Sequence, residues 1–273
     1  MKATLLGTGS PIPDPNRAGP STLVQAGNLN LLFDCGRGVL MRLAAAGLFP
    51  PMLHHVFLTH LHSDHTTDFN DVVTTRWAMS PTPNPLSVIG PPDTAAYVER
   101  VLAMLSNDIT YRLDHHADLN WEPSCSVAEM LDGIALDSDG VRVIAAPSDH
   151  RPVAPTIAFR IEHDGHAVVI AGDTIPCAGL DALCAGADIY VQTVINTELV
   201  KLIPSPRLQD IHDYHSSLDD AARTAARGKV RTLVLTHPVP APAPGTEGEW
   251  IALAAAHFDG EIILATDLTT VEV

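Results

Sequence analysis

The sequence predicts a layered α/β fold in a single domain that spans residues 1–273. Short apolar runs alternate with helical patterns along the chain, and glycine and proline separate them. A length of 273 residues suits one domain of this class. Apolar residues make up 46% of the chain and charged residues 18%, a balance typical of a compact protein with a large core.

The predicted strands are short runs rich in Val, Ile and Leu that are bounded by Gly, Pro, Asn or Asp. In chain order they are residues 3–6, 21–24, 30–34, 55–58, 86–89, 141–145, 156–161, 167–171, 189–192, 232–236 and 262–265. Because helical patterns fall between them, we expect these strands to form sheets covered by helices.

Three segments carry the clearest helical pattern. One follows Asp93, a potential N-cap, and has the apolar stripe Tyr97, Val98, Val101, Leu102 and Leu105. Another begins after Ser216-Ser217 and ends at Gly228, and a third covers about residues 246–257. Residues 107–132 and 197–214 have weak periodicity and are predicted as surface loops or short helices, which often carry function.

A cluster of potential metal ligands follows the strand 55–58. The segment reads Thr59-His60-Leu61-His62-Ser63-Asp64-His65. A tight loop after a strand, fixed by a helix from Thr66, can direct these side chains to one point. Imidazole nitrogen and carboxylate oxygen are ligands that zinc and similar ions bind at roughly 2.0 to 2.2 Å. A histidine-rich polar loop without function is the alternative, and the demanding spacing disfavours it.

Three further candidates each follow a predicted strand. His150 comes after strand 141–145, Asp173 after 167–171 and His237 after 232–236. Any one of them alone would more often be a solvated loop residue. Strand ends of α/β sheets converge on ligand sites, so the four positions together predict one metal site.

These motifs resemble those of the metallo-β-lactamase fold superfamily, and within it the ribonuclease Z-like and arylsulfatase-like branch. The resemblance rests on Leu5-Leu6-Gly7-Thr8-Gly9-Ser10-Pro11, Leu32-Phe33-Asp34-Cys35-Gly36, the histidine motif 60–65, Pro147-Ser148-Asp149-His150, Ala171-Gly172-Asp173-Thr174, His215-Ser216-Ser217 and Leu235-Thr236-His237-Pro238, in this order. It implies an αββα sandwich, in which two mixed β-sheets flanked by helices pack face to face with metals at one edge.

The resemblance also implies two divalent metal ions. Carried over residue by residue, His60, His62 and His150 bind the first ion, Asp64, His65 and His237 bind the second, and Asp173 bridges them. Zinc is the first expectation, although a shell of nitrogen and oxygen ligands also suits iron or manganese. Asp34 is expected to accept a proton from a ligand imidazole.

This constellation predicts a hydrolase. Two ions about 3.5 to 4 Å apart can turn a shared water into hydroxide and stabilise the charge on the attacked group. The chain has no Gly-x-Ser-x-Gly elbow, Walker loop or dinucleotide motif, and we interpret Gly7 and Gly9 as a turn that lets backbone pass close to the metal loop.

The predicted catalytic residues are Asp64, as a metal ligand, and His215. The resemblance places His215 beside the scissile group, where it can donate a proton to the leaving oxygen. Two alternatives stay open: His215 only hydrogen-bonds the Ser216-Ser217 cap of the helix that follows, or His212 takes the catalytic role.

The expected substrate is a small molecule with a phosphodiester, sulfate ester, carboxylic ester or lactone bond. Three features disfavour a ribonuclease Z-like tRNA 3′ endonuclease. A net charge of −16, from 32 acidic and 16 basic residues, repels polyanions. Only residues 151–172 separate His150 from Asp173, too few for a tRNA-gripping arm, and Gln192 stands where that branch has a glutamate that supports catalysis.

Nucleic acid is therefore not expected as a partner. The ribonuclease and a non-enzymatic metal-binding sensor or scaffold are the alternatives. No apolar run approaches the roughly 20 residues of a membrane span, and no signal-peptide core follows Met1. A cytoplasmic location without a membrane partner is expected, and a homodimer is left open.

Overall fold

The computed structural model describes residues 1–273 and contains two seven-stranded sheets. The strands are β1 (Lys2–Gly7), β2 (Ser21–Ala26), β3 (Leu29–Phe33), β4 (His55–Phe57), β5 (Leu86–Gly90), β6 (Cys125–Glu129), β7 (Gly133–Ser138), β8 (Val141–Pro147), β9 (Ile157–His163), β10 (His166–Ile170), β11 (Ile189–Ile195), β12 (Thr232–Val239), β13 (Glu261–Leu264) and β14 (Thr269–Glu272). One sheet has the order β14-β1-β2-β3-β4-β5-β6, and the other β13-β12-β11-β10-β9-β8-β7.

The α-helices lie between these strands. They are α1 (Val39–Ala45), α2 (Ser63–Thr66), α3 (Phe69–Met79), α4 (Thr94–Met104), α5 (Ser106–His115), α6 (Ala178–Cys184), α7 (Thr197–Lys201), α8 (Pro206–Gln209), α9 (Leu218–Gly228) and α10 (Glu247–Ala255). Short 3-10 helices cover Pro50–Met52 and Asp210–Asp213. None of these helices is both long and apolar enough to cross a bilayer.

Three apolar layers hold the sheets and helices together. Between the sheets, Phe33 stacks on Phe57 with ring centroids 4.7 Å apart, and Phe159 of the other sheet meets Phe57 at 5.2 Å. A second layer joins β10, β11 and β12 to α6, α9 and α10, and a third joins the first sheet to α1, α3 and α4. Both sheets mix parallel and antiparallel pairs, so the expected αββα sandwich is confirmed. The single domain stays a prediction.

All predicted strands are present, but β6, β7 and β14 and helices α1, α3 and α6 were not predicted. Strands β6 and β7 lie at sheet edges and have no fully buried residue, so they lack the apolar runs that reveal a strand. Residues 107–132 accordingly contain most of α5 and all of β6. Asp93 precedes α4 as expected, but its side chain accepts no capping hydrogen bond, whereas Ser217 and Asp220 form a capping box on α9.

Arg76 of α3 is a buried cation that holds three surface segments together. Its guanidinium donates to the carbonyl oxygens of Pro50 and Leu53, both at 2.7 Å, and to that of Asn84 at 2.9 Å. It also donates to Asn84 Oδ1 at 2.6 Å. Because only 6% of Arg76 is exposed, water cannot replace these bonds.

We expect Arg76→Met to lower the free energy of unfolding by roughly 3 kcal/mol, since several buried carbonyl groups lose their donor. Thermal unfolding of Arg76→Met beside Arg112→Met measures this. Arg112 pairs with Asp108 at 2.8 Å on the surface, and its loss should cost less than about 1 kcal/mol. Equal melting temperatures for the two variants would contradict a stabilising role for Arg76.

Candidate metal centre

Four strand ends bring the predicted ligands to one edge of the sandwich. Strand β4 leads through Thr59 into the histidine motif, which the single turn of α2 shapes. His150 follows β8, Asp173 follows β10, and His237 lies within the last part of β12. Two groups result, each with its potential ligand atoms within 4.8 Å of one another. They are His60, His62, His150 and Asp173, and Asp64, His65 and His237.

In the first group, three imidazole nitrogens point at one another. His150 Nδ1 donates to the backbone oxygen of Tyr214 at 2.9 Å, which leaves a lone pair on Nε2 of the neutral ring. His62 Nδ1 lies 3.4 Å from that Nε2 and 3.2 Å from His60 Nε2. Converging lone pairs of this kind need a cation or proton between them, and they are the geometry that binds a metal ion.

In the second group, Asp34 fixes a histidine from behind. His65 Nδ1 donates to Asp34 Oδ2 at 2.8 Å, and Thr59 donates to the same carboxylate from its backbone N and its hydroxyl, each at 2.8 Å. The Nε2 atom of His65 is buried and has no hydrogen-bond partner. The hydrogen bond to Asp34 therefore directs the Nε2 atom of His65 towards the centre, which is how a carboxylate orients a ligand imidazole.

Asp173 lies between the two groups. Its Oδ2 atom is 4.0 Å from His150 Nε2 in the first group, and 3.4 Å from His65 Nε2 and 3.8 Å from His237 Nε2 in the second. Its Oδ1 atom is buried without a partner. Asp64 contacts only the second group, with Oδ2 3.2 Å from His237 Nε2. Asp173 is therefore close to both groups, and its role as a bridging ligand stays a prediction.

The protein's own groups set the charge states in the first group. Burial lowers the pKa of His60 well below its ordinary value, and the nearby His65 adds to this effect. Burial also lowers the pKa of His62 and of His150. Burial alone would raise the pKa of Asp173, but His237 and His65 hold it well below the usual range. Neutral imidazoles and an ionised carboxylate are the forms that bind metals.

The second group is more strongly coupled to protons. Burial alone would lower the pKa of His65, yet Asp173 and Asp34 raise it well above its ordinary value. Burial alone would also lower the pKa of His237, but the charge of Asp173 and the hydrogen bond to Asp64 together raise it. Burial alone would raise the pKa of Asp64, but a hydrogen bond from His237 together with the charges of His65 and His237 lowers it. Metal binding at these nitrogens therefore displaces protons.

His215 lies inside the centre, whereas His212 does not line it. The Nε2 atom of His215 is 3.2 Å from Asp173 Oδ2, and its ring packs against that of His150 with centroids 4.9 Å apart. Its Nδ1 atom is buried without a partner. The backbone of His215 precedes helix α9, but the cap is made by Ser217, so the capping alternative for His215 is wrong.

The centre opens into a cavity of about 150 Å³. It is lined by Ser10, Pro11, Ile12, His62, Asp64, Asp173, Leu208, Ile211, Tyr214, His215, His237 and Val239. Of the two segments predicted as surface loops that often carry function, 107–132 and 197–214, only the second contributes residues to this cavity. The loop that carries Ile12 was not predicted to line the pocket, because Pro and Gly gave it only the features of a turn.

Asp267, which the sequence did not single out, fastens this first loop. Its Oδ1 atom accepts from the backbone N of Thr8 at 3.0 Å and from the Thr8 hydroxyl at 2.8 Å. Its Oδ2 atom accepts from Ala18 N at 2.7 Å and from Arg42 Nε at 2.8 Å. The carbonyl of Thr8 in turn accepts from the backbone N of His237 at 3.1 Å. Asp267 thus positions both the pocket loop and a predicted ligand.

The glycine that passes close to the metal loop is Gly36. A Cβ atom added there would lie 2.6 Å from the backbone oxygen of Asp64 and 2.3 Å from the carbonyl carbon of Gly19. Gly7 approaches Gly19 instead, and Gly9 approaches Ala18. The turn at Gly7 and Gly9 thus makes its tightest approaches to Ala18 and Gly19, while Thr8 between them contacts the backbone of His237.

Gln192 does not occupy the centre. On β11 its side chain accepts from the Tyr190 hydroxyl at 2.5 Å, and Tyr190 packs in the layer between this sheet and its helices. The next residue, Thr193, faces the other way and donates to the backbone oxygen of Gly172 beside Asp173. Gln192 therefore points away from the metal centre, and its identity says nothing about a catalytic glutamate at the centre.

A family model described as "Beta-lactamase superfamily domain" matches residues 29–238. Two solved structures with the same fold are a metallo-beta-lactamase fold protein, YhfI, from Bacillus subtilis and human tRNase Z, short form. The first has a TM-score of 0.76 at 21% identity, covering 100% of this chain and 98% of its own. The second has a TM-score of 0.72 at 22% identity, covering 100% and 99%.

Relatives of much higher identity also exist. A protein named ribonuclease Z from Mycolicibacterium paratuberculosis is 58% identical over 275 residues, covering 100% of this chain and 98% of its own length. Another of that name, from Mycobacterium marinum, is 55% identical and covers 100% and 99%.

These relatives overturn the preferred function. A small-molecule substrate, and the expectation that nucleic acid is not a partner, conflict with full-length relatives that are named as a ribonuclease. The argument from the missing tRNA-gripping arm fails as well. The relatives align over 275 residues with all 273 of this chain, so the proteins named ribonuclease Z also have no room for an inserted arm. The net charge of the whole chain and the identity of Gln192 do not report on the surface that meets the substrate, so they could not exclude RNA.

The chain is a metal-dependent hydrolase, and the histidine and aspartate clusters are suited to divalent metal ions. It belongs to the β-lactamase superfamily and, within it, to the family of the proteins named ribonuclease Z.

Proposed function

We propose that this chain is an endonuclease that cleaves a phosphodiester bond at the 3′ end of precursor tRNA. The observation that carries the proposal is 53–58% identity over the whole chain to proteins named ribonuclease Z. Conservation at this level usually extends to the substrate. The cleaved bond is then an ester of phosphate, one of the bond types expected from the sequence.

We infer that seven residues hold two divalent ions, with zinc the first choice. The proposed ligands are His60, His62 and His150 for one ion, Asp64, His65 and His237 for the other, and Asp173 for both. Two buried atoms without a partner support this assignment, namely His65 Nε2 and Asp173 Oδ1. Bound ions supply charge stabilisation for the attacked phosphate and acidify water. Nitrogen and oxygen donors suit this chemistry.

The proposed role of His215 is to move a proton. Breaking a phosphodiester leaves an alkoxide on one product, which needs a proton as it departs. His215 lies 3.2 Å from Asp173, at the side of the cavity, and is still 9% exposed to incoming substrate. Tyr214 and His150 pack against its ring and fix its direction.

The net charge of −16 is compatible with an RNA substrate, because it is a sum over the whole chain, whereas RNA meets one face. A groove of about 610 Å³ beside the first loop is lined by Arg17, Arg37 and Arg42, with Asp14 as its acidic member. Divalent ions would also offset the charge of the ligand carboxylates. Arg42 is already paired with Asp267 at 2.8 Å, so Arg17 and Arg37 are the cations that this groove offers to a phosphate backbone.

The test is cleavage of precursor tRNA by protein loaded with zinc, iron or manganese. We expect one cut at the 3′ end of the tRNA, abolished by chelation, and an apparent affinity that falls steeply as salt rises. A carboxylic ester and a lactone serve as comparison substrates. Turnover of either one without any cleavage of the precursor would reject the proposal.

A further inference from the structure

The cavity above the metal centre has walls of a different character from its floor. Carboxylate and imidazole groups form the floor, whereas the walls are mostly apolar and come from Val239 of β12 and from two segments outside the sheets. The first loop provides Pro11 and Ile12, and the segment before helix α9 provides Leu208, Ile211 and Tyr214. Apolar walls do not stabilise a bound phosphate, which is charged, so they indicate contact with another part of the substrate.

The walls stay partly open to solvent. Ile12 is 49% exposed although it lies beside the cavity, and Tyr214 is half-buried with its ring packed on His150 and His215. Exposed apolar surface at a cleft marks a ligand contact, since burial by a ligand removes it from water. The surface is continuous with the proposed catalytic groups, so its ligand is part of the substrate.

The size of the cavity limits what can enter. A volume of about 150 Å³ is that of an engineered protein cavity that binds one benzene ring. A base pair is too large for it. Ribose and phosphate are polar and gain little from apolar walls, so a nucleobase is the part of an RNA that these walls favour.

We propose that the cavity takes one unpaired nucleobase that flanks the scissile phosphodiester, held between Ile12 and the Leu208–Tyr214 segment. This inference rests on the proposed cleavage of precursor tRNA. Because the walls offer almost no hydrogen-bonding groups, contact depends on stacking and burial rather than on base identity. The cavity thus selects an unstacked single strand over a duplex and places its phosphate over the metal centre.

An abasic substitution separates this contact from the rest of the substrate. Precursor tRNA lacking the base on one side or the other of the cleaved bond is compared with the intact RNA. For one of the two positions, we expect kcat/KM of the wild-type protein to fall by roughly 5- to 150-fold, the factor that one stacked base contributes.

Ile12→Ala and Leu208→Ala should lower kcat/KM on intact RNA and make the abasic substitution nearly neutral, because the contact is already lost. Ile134→Ala is the matched control. Ile134 is 59% exposed on β7 and does not line the cavity. A 2-aminopurine at the sensitive position gives a second readout, since its fluorescence should change on binding to wild type and much less with Ile12→Ala.

Equal cleavage of abasic and intact RNA by the wild type would overturn the inference. So would an abasic effect that persists unchanged in Ile12→Ala, since the base would then be held elsewhere. Failure of the proposed function looks different, because the wild type would then leave intact precursor tRNA uncut.

Discussion

Asp173→Ala is expected to reduce RNA cleavage below detection and to remove at least one bound metal ion. The physical reason is its position, with Oδ2 3.4 Å from His65 Nε2 and 4.0 Å from His150 Nε2, where one carboxylate serves both groups. Without it, the imidazoles of the second group lose the negative charge that faces them. Metal content per chain and the cleavage rate measure the two effects.

Asp137→Ala is the control for Asp173→Ala. Asp137 is an exposed aspartate whose ion pair with Arg142 lies on the surface, at 2.8 Å. Its variant should keep the metal content and rate of the wild type. If Asp173→Ala also retained full activity, the bridging assignment would be rejected.

His215→Ala should act on the chemistry and leave the metals in place. We expect the cleavage rate to fall by roughly 100- to 10,000-fold, the range for a lost general acid, with unchanged metal content. His212→Ala is the matched control, because His212 belongs to the same segment and does not line the cavity. A His215→Ala protein that loses metal would instead make this histidine a ligand.

The metal site was predictable because each of its residues lies next to a recognisable strand in the sequence. The motif from His60 to His65 follows a buried strand directly, and His150, Asp173 and His237 each stand at the end of an apolar run. The local sequence pattern and the rule that strand ends meet at one sheet edge were therefore enough to predict that these residues share one site. Their roles as ligands stay a prediction that the metal measurements test.

Contacts between distant residues could not be predicted in this way. Asp267 fastens the loop that carries Ile12 through its contact with Thr8, and no local pattern links Thr8 to Asp267, which lie 259 positions apart. Strands β6 and β7 were missed for a related reason, since their pairing partners, not their own apolar content, place them in the sheets.

The substrate class was the largest error, and its causes are physical. Composition gives the total charge but not its distribution, so an acidic chain can still present Arg17, Arg37 and Arg42 along one groove. The argument from Gln192 failed because side chains alternate along a strand, and a shift of one residue changes the face under comparison.

The contact between Thr8 and Asp267 has a consequence for the order of folding. Strands β1 and β14 pair, and the amino group of Met1 donates to the backbone oxygen of Val273 at 2.6 Å. Bringing together residues so far apart in the sequence has a large loop-closure entropy cost. We therefore expect these contacts to form late in folding. A nascent chain can bury its sheets earlier, but the loop that carries Ile12 and supports His237 is completed only after Asp267 has been synthesised. The proposed nuclease activity would thus be withheld from partly made chains.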